Sequence, residues 1–288
     1  MSRIVYVNGA FIGEKDAQVS IFDRGYLFAD GVYEVVPVCA GKLIDQAPFI
    51  ARLDRSLREL AIDWPCSPED YVAFHNELIR RNDLTEGMVY SQVTRGVADR
   101  DFAFPKGIRP AVIAFTQRKA IIANPLAETG VKVVTVEDIR WQRRDIKSIA
   151  LLGQVLSKQR AAEQGAFEGW MVEDGMVTEG TSSTAYIVKD GVIVTRPLSR
   201  AILPGIRRRV LLELAPRHGL AVDERPFTVA EALAADEAML TSASNFVLPV
   251  VAIDGTPIGT GKPGPVARRL REIYIAAALE EAGIGSRQ

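Results

Sequence analysis

Two hydrophobic rhythms alternate along the chain. Ile4 to Val7 is a short apolar run, closed by the turn pair Asn8-Gly9 and answered by a second run through Phe11-Ile12, which predicts a hairpin. Val32 to Val38 is a β-branched strand pattern that stops at Ala40-Gly41 and resumes at Leu43-Ile44. The rhythm then lengthens. Phe49, Leu53, Leu57 and Leu60 recur at spacings of three and four, predicting a helix from about Gln46 to Ile62. A second helix follows Pro68, with Tyr71, Phe74, Leu78 and Ile79 on one side. Met88 to Thr94 and Ala111 to Thr116 return to strand.

Gln117 to Glu128 is polar and broken by Asn124-Pro125, which reads as a linker. Beyond it Val131 to Val136 predicts a strand and about Leu151 to Glu163 a helix. Trp170 to Val172 and Tyr186 to Val188 flank the turns Asp174-Gly175 and Asp190-Gly191. A helix from Ile206 to Arg217 is entered through Pro204-Gly205. Strands at Met239 to Ser242 and Val247 to Ile253 and a helix at Pro265 to Ala282 follow. The expected architecture is α/β with mixed α+β order, in two domains, 1–118 and 129–288, joined by a linker at 119–128. No internal repeat is visible.

Composition narrows the function classes. With 48% hydrophobic and 25% charged residues the balance is that of a globular protein. A net charge of −1 makes no case for nucleic acid or an anionic membrane. No stretch approaches the ~20 apolar residues of a membrane span, and the N-terminus lacks the apolar run of a signal peptide. Two cysteines, Cys39 and Cys66, form no CxxC pair and suit a reducing cytoplasm. His75 and His218 lie far apart with no carboxylate cluster at ligand spacing, so no metal site is expected.

Only nine lysines occur, so one in apolar company stands out. Lys147 lies in Asp145-Ile146-Lys147-Ser148-Ile149-Ala150-Leu151-Leu152, at an expected strand-to-helix junction. Partial desolvation there disfavours the ammonium and favours the free, nucleophilic amine. On local sequence alone the blander reading leads: a snorkelling surface lysine beside Asp145. Val177-Thr178-Glu179-Gly180-Thr181-Ser182-Ser183 sets one carboxylate among hydroxyls and backbone donors, equally readable as a turn with an exposed Glu179. Leu203-Pro204-Gly205-Ile206-Arg207 opens a helix whose first N–H groups lack internal partners, an anion site or simply a helix start. Thr241-Ser242-Ala243-Ser244-Asn245 adds hydroxyls after a strand. Arg52, on the partly apolar side of its helix, reads as an anion partner or as a solvated residue.

Each signal alone is modest, but their order is not. Asp23-Arg24-Gly25-Tyr26-Leu27-Phe28-Ala29-Asp30-Gly31-Val32-Tyr33-Glu34, Ala51-Arg52-Leu53, Gln92-Val93-Thr94-Arg95-Gly96, Asp145-Ile146-Lys147-Ser148, Thr178-Glu179-Gly180, Leu203-Pro204-Gly205-Ile206 and Thr241-Ser242 together resemble the fold-type IV aminotransferases that use pyridoxal 5′-phosphate (PLP), particularly the D-amino-acid aminotransferases. The resemblance spans nearly the whole chain. It implies a two-domain fold in which Lys147 holds PLP as a Schiff base and shuttles the substrate proton. Glu179 would pair with the pyridine nitrogen. Arg52, Ile206, Arg207, Ser242 and Ala243 would hold the phosphate, and Leu203 would pack on the ring. Tyr33 and Val35 would line the substrate, with Ser182 and Ser183 in the same hydrogen-bond network. It also implies a homodimer in which part of the pocket comes from the partner's small domain.

The chain departs from that pattern in its substrate loop. An Arg-x-His triplet typically clamps the donor carboxylate. Here Arg100 matches the arginine, but Phe102 stands at the histidine position and cannot donate a hydrogen bond. Pro37 stands where a basic residue is frequent. The expected reaction is transamination between a D-alanine-like amino acid and a 2-oxo acid. An (R)-selective amine transaminase, or a hybrid of the two, is the alternative. Branched-chain aminotransferase, aminodeoxychorismate lyase and a non-catalytic metabolite-binding protein rank below these.

Overall fold

The computed structural model describes residues 2–284. It divides into two units. The first comprises 2–120, Ile146–Ala150 and 278–284; the second comprises Ile121–Asp145 and Leu151–Ala277. This differs from the expected division into 1–118 and 129–288 in two places. Ile146–Ala150, around Lys147, and residues 278–284 belong with the first unit. The expected linker at 119–128 also has tertiary contacts of its own. Ile121 is fully buried, Asn124 donates from Nδ2 to Asn245 Oδ1 at 3.1 Å, and Leu126–Thr129 is a helical turn.

The first unit is built on a six-stranded antiparallel sheet. Its strands are β1 (Ile4–Val7), β2 (Ala10–Gly13), β3 (Gly31–Cys39), β4 (Lys42–Leu43), β5 (Gly87–Thr94) and β6 (Ala111–Arg118), in the order β2-β1-β6-β5-β3-β4. Three helices accompany it: α1 (Arg24–Phe28), α2 (Gln46–Glu59) and α3 (Pro68–Arg81). The β3–β5 register runs from Gly31↔Thr94 to Val38↔Gly87. Strand β3 therefore shows Val32, Glu34 and Val36 to one face and Tyr33 and Val35 to the other. Helix α2 packs on β3 and buries Phe49, Leu53 and Leu57. Asp45 gives α2 no side-chain cap. Instead the Glu281 carboxylate accepts from the Asp45 and Gln46 N–H groups, an anion at a helix N-terminus. Helix α3 begins at the Ser67 cap with Pro68 in its first turn and ends in Arg80 and Arg81.

The second unit carries nine strands: β7 (Val131–Glu137), β8 (Glu168–Glu173), β9 (Met176–Gly180), β10 (Thr184–Lys189), β11 (Val192–Thr195), β12 (Val222–Glu224), β13 (Glu237–Ser242), β14 (Phe246–Ile253) and β15 (Thr256–Pro257). Their order is β12-β11-β10-β13-β14-β7-β8-β9, with β15 on β14. Strands β13 and β14 are buried at every residue, and β14 accordingly reads as an unbroken apolar run. The helices are α4 (Leu126–Thr129), α5 (Leu152–Glu163), α6 (Ile206–Arg217), α7 (Val229–Leu233) and α8 (Pro265–Glu281), of which residues 278–281 count with the first unit. Trp170, Leu240, Leu248, Phe227 and Ile253 form the centre of the core. No helix among the described residues is long and apolar enough to cross a membrane.

One core residue of the first unit makes stability depend on pH. His75 is fully buried against Phe49, Tyr71 and Phe74, with Nδ1 2.7 Å from the Tyr71 carbonyl. Burial lowers its pKa from 6.5 to about 4, although the Tyr71 hydrogen bond opposes this. The folded state therefore keeps the ring neutral while the unfolded state takes up a proton below 6.5. This stabilisation is complete above pH 6.5 and is lost as pH falls toward 4, a loss of about 3 kcal/mol. Denaturant titrations at pH 7.5 and 4.5 should show this drop in the wild type and a shallower one in His75→Phe. Equal slopes would remove His75 as its source.

Candidate active site

Lys147 sits on the first unit's sheet through backbone bonds. The Tyr33 N–H donates to the Lys147 carbonyl at 3.0 Å, and the Ile149 N–H to Gly31 at 3.1 Å; Val32 and Ser148 form an isolated bridge. The segment thus lies along β3, where a strand-to-helix junction was expected. Gly31 permits this closeness. A Cβ there would come within 2.6 Å of the Val93 carbonyl and 3.1 Å of Ile149 Cδ1. The half-buried Lys147 side chain reaches back over Tyr33, with Nζ 4.1 Å from the ring centroid. An amine held over an aromatic face, with its backbone immobilised, is placed for nucleophilic and proton-transfer work.

Arg52 projects from α2 and donates to Glu34 through Nε at 2.8 Å and Nη2 at 2.6 Å. Both side chains are almost wholly buried, so the pair is a bidentate, desolvated one. Ser56, one turn further along α2, approaches the Lys147 N–H at 3.4 Å. Glu34 is a site residue that sequence reasoning missed. Its signal was a carboxylate on the apolar phase of a strand, between Val32 and Val36.

In the second unit Glu179 lies on β9, buried. It accepts from Arg140 Nη1, and both of its oxygens lie 3.2 Å from the Leu203 N–H. Arg140 also grips Asp138 through Nη2 at 2.6 Å and Nε at 2.9 Å, and Thr178 donates to Asp138 at 2.7 Å. Burial pushes the Glu179 carboxyl up, against the pull of Arg140 and the Leu203 N–H. For Asp138 burial acts the same way but is outweighed by Arg140, Thr178 and Arg144, and its carboxyl stays low. Arg140 itself remains a cation. Desolvation works against its charge, but the two carboxylates prevail.

A phosphate would find its donors at α6. Gly205 occupies the N-cap without a side-chain cap, leaving the first N–H groups of the twelve-residue helix unanswered by one. A Cβ at Gly205 would stand 2.8 Å from Thr184 Oγ1, so any larger residue would force Thr184 to shift at this entry. Ile206 and Arg207 are buried at the start of α6, and Arg207 Cζ lies 6.0 Å from the Tyr274 ring. Ser242 ends β13 and accepts from Asn245 Nδ2 at 3.0 Å; half-buried Ala243 starts the following turn. A carboxylate for a ring nitrogen and a helix start for a phosphate both suit PLP. Leu203, half-buried, links them through its backbone.

Ser182 and Ser183 point elsewhere than expected. Both hydroxyls, with that of Thr181 and the Ser182 N–H, donate to Glu168 at the start of β8. Glu168 is fully buried and orders this turn, and nothing in its local sequence announced it. In the first unit, Val35 shares its face of β3 with Tyr33, whose ring lies 5.6 Å from that of Tyr90. Arg100 is exposed, its Cζ 5.4 Å from the rings of both Phe28 and Phe102; Phe102 is 76% exposed.

Residues 31–253 match the family model of amino-transferase class IV. The D-alanine aminotransferase of Staphylococcus aureus (strain MSSA476) is 42% identical over 269 residues, 93% of this chain and 95% of that protein. That of Bacillus licheniformis is 41% identical over 279 residues, 96% and 98% of the two chains. Among solved structures, a T.th. branched-chain amino acid aminotransferase with pyridoxamine 5′-phosphate superposes with a TM-score of 0.91 at 24% identity, covering 99% of this chain and 97% of that one. The Escherichia coli branched-chain enzyme gives 0.91 at 22%, covering 100% and 97%. The structural likeness establishes the fold. The family match, with relatives at this identity over nearly the full length, makes the chain a member of the class IV amino-transferases.

Proposed function

We propose that the protein is a PLP-dependent transaminase that moves an amino group between a D-alanine-like amino acid and a 2-oxo acid by a ping-pong cycle. The observation that carries the chemistry is Lys147 Nζ, held half-buried over Tyr33 by backbone bonds to β3. The likeness to D-alanine aminotransferases supports the donor class. PLP, when bound, supplies the electron sink that transamination needs. Lys147 anchors it and moves the proton at the donor Cα. Glu179 answers the ring nitrogen. The start of α6 at Ile206 and Arg207, with Ser242 and Ala243, receives the phosphate, joined by Arg52 as oriented by Glu34. Leu203 packs on the ring. Tyr33 and Val35 line the donor, and Ser182 and Ser183 shape its surroundings through Glu168.

Arg100 receives the donor carboxylate. Its neighbours in the structure are aromatic rings, where the related loops supply a histidine. This favours a second reading, in which amines lacking a carboxylate are also accepted. The protein works as a homodimer in the cytoplasm. Val19, Ile21, Phe22, Tyr26, Phe102 and Phe104 are exposed on the first unit, apolar surface that a second copy of the chain would cover. Two cysteines in the whole chain suit the reducing compartment.

The deciding assay compares D-alanine with (R)-1-phenylethylamine as donors in the first half-reaction. Arg100→Ala should lower kcat/KM for D-alanine by roughly 10–100-fold, the worth of a charge-assisted carboxylate contact, and cost the amine far less. Equal losses on both donors would take Arg100 out of carboxylate recognition.

A further inference from the structure

The substrate loop is held by a charge cluster that the chemistry above does not use. Asp30 lies between α1 and β3, with its side chain only 11% exposed. Its Oδ2 accepts from Arg24 Nε and Arg95 Nε, each at 2.8 Å, and its Oδ1 accepts from Arg95 Nη2 at 3.0 Å. Both guanidiniums are buried, at 3% and 7% exposure. Each uses its remaining donors or its flat face on something else. Arg24 donates through Nη1 to the Asp101 carbonyl at 2.5 Å, with a longer reach of 3.4 Å to Phe102. Arg95 donates to the carbonyls of Leu60 and Ala61 and stacks on Phe104, Cζ 3.5 Å from the ring centroid.

We propose that Asp30 is a positioning residue for the Arg100 loop: one carboxylate orients two buried arginines, and these fix the loop at Asp101, Phe102 and Phe104. Residues 98–105 have no strand of their own to hold them. On the near side of Arg100 the backbone is tied by the Ala98 N–H to the Phe22 carbonyl at 3.3 Å. On the far side the ties are those of Arg24 and Arg95. Phe28, one of the rings facing Arg100, also lies 4.8 Å from Arg24 Cζ. Asp30 is therefore linked to Arg100 through one side chain and one ring. Two guanidiniums on one carboxylate make a rigid hub, because each fork accepts only a narrow range of directions. Asparagine keeps the shape of Asp30 but leaves two buried cations without their shared anion. The functional half of this proposal rests on Arg100 meeting the donor carboxylate.

The test uses the PLP-loaded full-length enzyme with Asp30→Asn, Asp30→Glu and Arg100→Ala. Deuterium uptake by the 97–104 peptide should quicken about tenfold in Asp30→Asn, with peptides of β3 and β5 unchanged. Asp30→Glu, which keeps the charge, should lie nearer the wild type. KM for D-alanine should rise about fivefold or more in Asp30→Asn, more than kcat falls and more than KM rises for (R)-1-phenylethylamine. Unchanged uptake at 97–104, or quickened uptake across the whole unit, overturns the proposal. So does a loosened loop with unmoved D-alanine KM when Arg100→Ala raises it. A loosened loop with neither variant separating the two donors supports the positioning by Asp30 and tells against the carboxylate role of Arg100. Should Asp30→Asn fail to fold, Arg24→Lys keeps a cation on Asp30 but loses the fork to the loop carbonyls, and the same readouts decide.

Discussion

Lys147→Ala should lower turnover by roughly 10³–10⁴-fold, the scale of losing a positioned nucleophile and general base together. The protein should remain folded. What fixes this segment is backbone: Tyr33 N–H to the Lys147 carbonyl, Ile149 N–H to Gly31, and the bridge between Val32 and Ser148. None of these needs the side chain, whose Nζ rests over the Tyr33 ring at the surface of the sheet. Lys147→Arg should be nearly as inactive although it keeps the charge, because a guanidinium does not give up its proton to become a nucleophile. Borohydride treatment of the loaded wild type should fix the cofactor to the peptide containing Lys147. A label on another lysine, or a variant within tenfold of wild type, would end the assignment. Lys158 is the natural control. Its Nζ lies over Phe167, just beyond the end of α5, and its removal should leave the label in place.

The chain order makes some of this readable and hides the rest for physical reasons. Helix α6 is legible at both ends, because Pro204-Gly205 and the following apolar residues are local signals. Strands β3, β5 and β14 are legible within a residue or two from their β-branched runs. Strands β11 and β12 are not, being short and lacking alternation. Helix α1 escapes as well; five residues cannot show a helical period. The setting of Lys147 is the clearest hidden feature. Its hydrogen-bond partners, Gly31 and Tyr33, stand more than a hundred residues earlier, and no window of sequence brings them together. Arg140 is hidden differently. Its neighbours Trp141, Gln142, Arg143 and Arg144 carry no local mark of burial, yet the fold buries Arg140 between Asp138 and Glu179. Glu34 could have been found. A carboxylate in phase with Val32 and Val36 demands a buried cation, and Arg52 already reads as seeking an anion.

Glu179→Gln should lower kcat by about 10–100-fold while the enzyme still retains its cofactor. A charge-assisted hydrogen bond to the ring nitrogen is worth about 1.5–3 kcal/mol more than none, and a neutral amide forfeits most of it. The substitution is nearly isosteric, and Arg140 keeps both of its bonds to Asp138. The loss of thermal stability should therefore stay below the ~3–5 kcal/mol of breaking an isolated buried pair. Arg140→Leu separates the charge of Glu179 from its shape. Burial already pushes this carboxyl up, and Arg140 is the chief force holding it down. Without Arg140 the carboxyl titrates at higher pH, so the neutral form gains as pH falls. The acid limb of the kcat profile should move to higher pH in Arg140→Leu and disappear in Glu179→Gln, which has nothing to titrate there. If the limb stays in place in both variants, another group sets it, and Arg140 holds Glu179 in position without tuning its charge.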